Sequence, residues 1–151
     1  MIELANEQGY QNLPSNNHDE LKKWIQPKPD KSLAINLEAW DHTIGVMQDQ
    51  DSIYRVTMEA LEDLSNDGVV YAELRFAPLV HTFKGLSTAE IINSVVNGIK
   101  DGMEKFDIVA GVILCAMRQE QNSLDVVNLC IEHKDVVGFD LAGPELSLIH
   151  I

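Results

Sequence analysis

Apolar residues in the first half of the chain recur every three or four positions, which is the spacing of amphipathic helices. This spacing predicts helices over Ile2 to about Gln8, His18–Ile25, Ser32 to about Met47, and a fourth stretch that Asp51 or Ser52 caps and Gly68 ends. One face of the third helix carries the apolar residues Leu33, Leu37, Trp40, Ile44 and Met47. The two prolines of QPKPDK break the chain before this helix, and we interpret the segment as a loop within one domain.

After Gly68 the period changes to the alternation of a strand, in VVYAELRFAP. A capping box, Ser87 to Glu90, then opens a helix. The nearly all-apolar run IVAGVILCAM predicts a strand covered on both faces, and a helix near 123–133 and a strand near 136–141 follow it. Strands that start near 69, 109 and 136 and alternate with helices predict crossover units of a parallel sheet.

Each predicted strand begins apolar and ends with polar residues: Glu73 and Arg75, then Arg118, then Asp140 followed by Gly143. The carboxyl ends of parallel strands are where α/β proteins bind ligands. Even positions of the first strand should face the helices, and odd positions should face a barrel interior or the other side of a sheet. We expect Glu73 and Arg75 to pair, either structurally or at a site. Asp140 is the stronger functional candidate, because a glycine nearby lets a ligand approach the backbone.

The composition narrows the class of protein. The chain has 151 residues and a formal net charge of −13, which argues against nucleic acid, since a polyphosphate partner favours Lys and Arg patches. No apolar run reaches the length of a membrane span. The N-terminus lacks the pattern of a signal peptide, and the two cysteines, Cys115 and Cys130, follow no disulfide or metal pattern. We therefore expect a cytoplasmic protein with both cysteines as small buried hydrophobes.

Residue chemistry alone identifies no complete active site. No phosphate-binding glycine loop and no C-x-x-C occurs, and no two of the five histidines lie within four residues. His81 follows the polar end of a strand, yet a surface or loop histidine is the expectation there. His18, His42 and His133 are expected to be solvated or at a boundary. We therefore assign no catalytic residue and no metal ligand.

Four segments, VVYAELRFAP, GLSTAEIINSVVNGI, GVILCAMR and VVGFDLAGPE, resemble the adenosine deaminase family in order and spacing. The resemblance implies a (β/α)₈ TIM barrel that binds zinc and hydrolyses adenosine, and deoxyadenosine, to inosine and ammonia. It implies a partial barrel here, with about three parallel strands and their preceding and intervening helices. In the family, metal-activated water attacks the purine, a Glu donates a proton, and His and Asp residues hold the zinc. None of these ligands matches a position in this chain.

The resemblance carries over a few substrate-binding positions. Gly143 matches a glycine whose backbone contacts the purine, and Asp140 lies on the same strand end. Leu37 and Trp40, with Leu33, match apolar positions of a helix that covers the substrate pocket. Asn36 and Pro144 depart from the family's usual residues.

We expect residues 1–145 to form the N-terminal part of a deaminase barrel and residues 146–151, LSLIHI, to be a tail foreign to the family. The chain alone should then neither hold zinc tightly nor deaminate adenosine, and its open strand edges should make it marginally stable. One alternative is a non-catalytic acidic binding protein that reuses part of the barrel. Another, an unrelated open doubly wound domain, is disfavoured by the missing phosphate loop.

Overall fold

The computed structural model describes residues 1–26 and 33–143, with side chains in 1–26 and 37–143. The described residues fall into two compact units, which we call the N-terminal unit, Met1–Met47, and the sheet unit, Gln48–Gly143. The predicted loop QPKPDK and the predicted tail LSLIHI lie outside the described residues, except for Gln26.

The N-terminal unit consists of three helices: α1 (Ile2–Gln8), α2 (His18–Ile25) and α3 (Leu33–Gly45). All three lie where the apolar spacing predicts them. Asn17 caps the start of α2, and its side chain accepts hydrogen bonds from the amides of Asp19 and Glu20.

An aromatic cluster joins α2, α3 and the segment after α1 in this unit. The hydroxyl of Tyr10 lies 2.9 Å from Nδ1 of His42, and the ring of Trp24 meets His42 edge-on at 5.2 Å. Gly45 leaves room for the Tyr10 ring, because a Cβ at this position would lie 2.5 Å from Cε2 of Tyr10. His42 is therefore a boundary residue, as predicted.

The sheet unit alternates helices and strands. Its elements are α4 (Gln50–Asn66), β1 (Tyr71–Phe76), a 3₁₀ helix (Pro78–His81), α5 (Thr88–Lys105), β2 (Val109–Met117), α6 (Ser123–Glu132) and β3 (Val136–Ala142). The strands form one sheet in the order β1-β2-β3, and both neighbouring pairs are parallel. The predicted crossover arrangement is confirmed.

Side-chain caps define the starts of α4 and α5. At α5 the predicted capping box is present, since Ser87 accepts from the amide of Glu90 and Glu90 accepts from the amide of Ser87. The hydrogen bonds from the Ser87 hydroxyl and amide lower the pKa of the Glu90 carboxyl. The predicted cap of α4 was wrong: Asp49, rather than Asp51 or Ser52, caps this helix and accepts from the amide of Ser52. A cap depends on where the extended backbone ends, and apolar spacing locates that point only within a turn.

The two faces of the sheet differ in burial. On β1 the even positions Ala72 and Leu74 are half-buried, whereas the odd positions are exposed, as predicted. On β2 the corresponding face carries Val112, Leu114 and Ala116, all fully buried. The helix α5 contributes Ile91 and Ile92, which are also fully buried, to the core of this unit. The helix-covered face is therefore the hydrophobic core that orients the three strands.

Close packing joins α4 to α5 through two glycines of α5. A Cβ at Gly98 would lie 2.9 Å from Cβ of Thr57 and 3.0 Å from the carbonyl oxygen of Tyr54. A Cβ at Gly102 would lie 2.6 Å from Cδ2 of the fully buried Leu61. Small residues at these positions allow the two helices to approach closely.

We expect Gly98→Ala to destabilise the protein by about 1–3 kcal/mol, since the added methyl group meets a backbone carbonyl that cannot move away. The gain in helix propensity, about 1 kcal/mol, offsets only part of this. Urea denaturation followed by circular dichroism measures the change. Asn97→Ala on the exposed side of the same helix is the matched control and should be neutral or slightly stabilising. A Gly98→Ala variant as stable as Asn97→Ala would contradict the packing argument.

Candidate functional site

The polar ends of β1 and β3 meet in an ion pair that crosses the middle strand. Nη1 of Arg75 lies 2.6 Å from Oδ2 of Asp140. In the strand register Arg75 is opposite Ile113 and Asp140 is opposite Cys115, so the arginine side chain reaches across β2 toward the carboxyl end. Asp140, predicted as the stronger functional candidate, is thus held by a residue from two strands away.

The expected pairing of Glu73 with Arg75 was wrong. The carboxylate of Glu73 instead accepts a hydrogen bond from the hydroxyl of Tyr71 at 2.7 Å, which raises the pKa of that phenol. Same-face residues on one strand stand almost 7 Å apart at the backbone. Strand side chains lean along the strand, so the Arg75 side chain extends away from Glu73 and contacts the carboxylate of Asp140.

The electrostatics of Asp140 follow from its neighbours. The hydrogen bond from Arg75 is the largest influence that lowers the pKa of the Asp140 carboxyl, followed by a hydrogen bond from the amide of Leu141. The positive charges of Arg75 and Arg118 act in the same direction, while burial opposes them. Asp140 is therefore an ionised hydrogen-bond acceptor at neutral pH.

Cys115 lies beneath this ion pair. Its thiol is 4.0 Å from Oδ2 of Asp140, and the side chain is buried. Burial is the main cause that raises the pKa of the thiol; the charge of Asp140 adds to this, and Arg75 opposes it. The buried position predicted for Cys115 is confirmed, and Cys130 in α6 is partly buried.

A glycine turn ends the third strand. Gly143 has a φ of 128°, and a Cβ there would lie 2.5 Å from Oε1 of Gln119 and 3.2 Å from the amide nitrogen of Arg118. The amide of Arg118 donates to the carbonyl of Ala142 at 2.7 Å. Both the conformation and the space at this position require glycine, because Gln119 and Arg118 occupy the side where a Cβ would lie.

A cavity of about 160 Å³ lies beside the ends of β1 and β2. Cys115 and Met117 of β2 line it, together with Ala77, which follows β1, and Val80 of the 3₁₀ helix. The Oδ1 atom of Asn122, also at this cavity, is buried and accepts no hydrogen bond within the described residues. The strand ends therefore combine an apolar recess with a hydrogen-bond acceptor.

The expectation that His81 is a surface or loop residue was wrong. The side chain is 5 % exposed, in the 3₁₀ helix, with its ring 6.0 Å from that of Phe76. The buried side chain of Gln48 holds this segment, donating to the carbonyl of Val80 at 2.9 Å and accepting from the amide of Phe83 at 3.0 Å. The segment after β1 turns back onto the unit and buries the histidine, which strand periodicity does not predict.

The two apolar candidates of α3 differ in exposure. Leu37 is half-buried, and Trp40 is 45 % exposed. Trp40 is therefore not a core residue, and its predicted role in substrate binding stays a prediction, like that of Leu37.

The sequence reasoning missed several contributors to the strand ends: Gln48, Cys115 as a neighbour of the ion pair, and Asn122. Cys115 alone had a signal in the sequence, since it occupies the odd-numbered face of its strand near the carboxyl end.

Metal-binding side chains are not gathered in the described parts of the chain. Across residues 1–26 and 33–143, no three His, Cys, Asp or Glu residues lie together in a group that could hold a metal ion. The donors of these segments therefore do not fit the zinc that the resemblance implies. No helix in the same segments combines the length and apolar character required to cross a membrane.

The comparisons with known proteins agree on one family. The sequence model described as "Adenosine deaminase" matches residues 1–150. Adenosine deaminase 1 of Streptomyces coelicolor is 42 % identical over 153 residues, covering 96 % of this chain and 39 % of that protein. The adenosine deaminase of Mycolicibacterium gilvum is 42 % identical over 154 residues, covering 96 % of this chain and 42 % of its own length. The chain thus spans about two fifths of the length of these relatives.

Solved structures of similar fold extend the comparison. The adenine deaminase of Arthrobacter aurescens superposes with a TM-score of 0.82 at 24 % identity, over 96 % of this chain and 44 % of that one. Arabidopsis ADAL complexed with IMP superposes with a TM-score of 0.76 at 28 % identity, over 96 % and 45 %. An amidohydrolase from Burkhoderia ambifaria with bound Zn gives a TM-score of 0.81 at 20 % identity, over 97 % and 40 %.

These neighbours confirm the predicted fold class, because three parallel strands with flanking helices match part of a TIM barrel. The predicted family is confirmed by a match that extends over nearly the whole chain. The chain belongs to the adenosine deaminase family.

Proposed function

We propose that this protein acts in the hydrolytic deamination of adenosine and deoxyadenosine, which yields inosine and ammonia. The observation that carries the proposal is the position of Asp140 and Gly143 at the carboxyl end of β3, in a chain that belongs to the adenosine deaminase family. The relatives at 42 % identity are named adenosine deaminases. The partner is accordingly a small purine nucleoside, without nucleic acid or membrane, and the compartment is the cytoplasm.

The residues of this chain serve to bind and orient the purine. The turn at Gly143, packed against Gln119 and Arg118, would place its backbone groups against the edge of the ring. Asp140, kept ionised by Arg75, would accept a hydrogen bond from an N–H group of the purine bound near the same turn. These contacts fix the orientation of the base relative to the strand ends.

Zinc would supply a water molecule activated for attack on the ring. Because the described donors do not fit a zinc site, we assign the metal ligands and the proton donor to sequence outside these 151 residues. Residues 1–145 would then be the N-terminal part of the deaminase barrel, with 146–151 as a segment foreign to it. No chemical step is assigned to a side chain of this chain.

Leu37 and Trp40 would add apolar contacts to the substrate. The exposure of Trp40 supports this role, since an exposed indole ring is available to stack on a purine.

We expect the 151-residue chain neither to retain stoichiometric zinc nor to release ammonia from adenosine, because the residues that the structure describes gather no suitable set of metal donors. Metal analysis of the purified chain and an ammonia-release assay check this, with the Streptomyces coelicolor relative as the positive control. Stoichiometric zinc together with turnover would refute the assignment of the ligands to other sequence.

The encoded flanking sequence distinguishes the enzyme from an acidic binding protein. An upstream H-x-H and a downstream His-Ala-Gly-Glu-like segment, with turnover by the longer protein, are the results that the deaminase proposal expects. Their absence from a complete reading frame would favour the binding protein.

We expect Gly143→Ala to weaken adenosine binding about tenfold, equivalent to the loss of one hydrogen bond. The methyl group would meet Gln119 and force the backbone away from its φ of 128°. Gly85→Ala is the matched control, because Gly85 also has a positive φ of 94° but nothing within 4 Å of the added Cβ. Isothermal titration calorimetry measures both variants; equal losses would show that backbone strain alone, and not the site, is responsible.

We expect adenosine to quench the fluorescence of Trp40 saturably. Trp24 is the other tryptophan of the chain, so a Trp24→Phe background isolates the signal of Trp40. Uridine, which lacks the purine ring, is the control ligand and should leave the emission unchanged. Equal quenching by uridine, or no response to adenosine, would remove Trp40 from the proposed site.

A further inference from the structure

The ion pair between Arg75 and Asp140 joins the two outer strands of the described sheet. Adjacent strands lie about 4.8 Å apart, so β1 and β3 are separated by about 10 Å. The Arg75 guanidinium closes this distance with a contact of 2.6 Å to Oδ2 of Asp140. Cys115 lies between them on the same face, and its small side chain leaves room for the crossing.

The other contacts that hold the carboxyl end of β3 within the described residues come from β2 and the residue after it. On one side β3 pairs with β2, and its other edge has no strand beside it in the described sheet. The pairing continues to Ala142, whose carbonyl accepts from the amide of Arg118, and the Arg118 guanidinium lies 3.4 Å from the carbonyl of Leu141. Both contacts come from the adjacent strand end, whereas Arg75 restrains β3 from the far side of the sheet.

We infer that Arg75 is a positioning residue: its ion pair with Asp140 fixes the carboxyl end of β3 and with it the turn at Gly143. Arg75 acts through Asp140 and touches no reacting atom. The inference rests on the proposed function in one respect, namely that the turn it positions is the one that contacts the purine.

The thiol of Cys115 provides a reporter for this ion pair. Asp140 raises the pKa of Cys115 and Arg75 lowers it, while burial and a hydrogen bond from the Ala142 backbone act on the same thiol. Removing Arg75 should therefore raise the pKa of Cys115 further, and removing the charge of Asp140 should lower it. A merely loosened structure would expose the thiol and lower its pKa in both variants.

The experiment uses the full 151-residue chain with Cys130→Ala, so that ¹³C-labelled cysteine gives one signal. We expect Arg75→Met and Asp140→Asn to shift the titration of Cys115 in opposite directions, and Arg75→Lys to restore most of the parent value. Arg55→Met is the matched control, because Arg55 forms a comparable ion pair with Glu59 on α4 at 2.7 Å. It should leave the titration of Cys115 unchanged.

Amide hydrogen exchange gives a second readout of the same variants. The amide of Arg118, hydrogen-bonded to Ala142, should exchange severalfold faster in Arg75→Met than in the parent, with partial recovery in Arg75→Lys. The amide of Val112, in the buried middle of β2, should change little and shows whether the sheet as a whole has lost stability.

The outcomes separate this inference from the proposed function. Shifts of Cys115 in the same direction in both variants, or unchanged exchange at Arg118, would overturn the positioning role of Arg75. Expected results for both readouts, together with a Gly143 amide resonance that adenosine shifts in the parent and shifts less in Arg75→Met, support it fully. If the readouts are as expected but adenosine leaves Gly143 unmoved in the parent, the positioning role stands and the proposed purine contact is contradicted.

Discussion

Parallel pairing of β2 with both of its neighbours is the constraint from which the remaining features of the sheet unit follow. Two parallel strands cannot be joined by a tight turn, so each connection is a crossover that contains a helix. Each crossover also returns the chain to the amino ends of the strands, so the three carboxyl ends lie together at the opposite end of the sheet. Arg75, Asp140 and Gly143 converge there although 65 residues of sequence separate the first two.

Burial separates the two faces of this sheet into different roles. The helix-covered face carries the apolar core, with Val112 and Leu114 almost inaccessible to water. The opposite face exposes Tyr71 and Val109, each more than half accessible, near the amino ends of the strands. In a closed barrel a face of this kind is interior and is filled by side chains of the other strands. A partial barrel accounts for both the exposed apolar residues and the greater length of the relatives.

Sequence periodicity predicted what depends on local spacing, and it failed where distant segments decide. The alternation of strands and helices and the capping box at Ser87 followed from patterns within a few residues. The partner of Arg75 could not follow in this way, because it depends on the register that places Asp140 two residues beyond the row of Arg75 on the far strand. The burial of His81 likewise depends on how the 3₁₀ helix packs back after β1. The sequence does not predict the bulge that shifts the register between Val112 and Ile113, because the glycines near it resemble glycines elsewhere in the chain.

The charges at the strand ends are consistent with a site preorganised at neutral pH. A carboxyl group whose pKa is lowered on folding stabilises the folded state above its unfolded pKa, and this stabilisation disappears as the pH falls through the lowered value. Asp140 belongs to this class, since Arg75 and Arg118 both favour its ionised form. Cys115 stays protonated beside it, because burial and the same carboxylate disfavour the thiolate. Arg75 and Arg118 therefore act on an ionised Asp140 near neutral pH, and the protonated thiol of Cys115 beside them adds no negative charge.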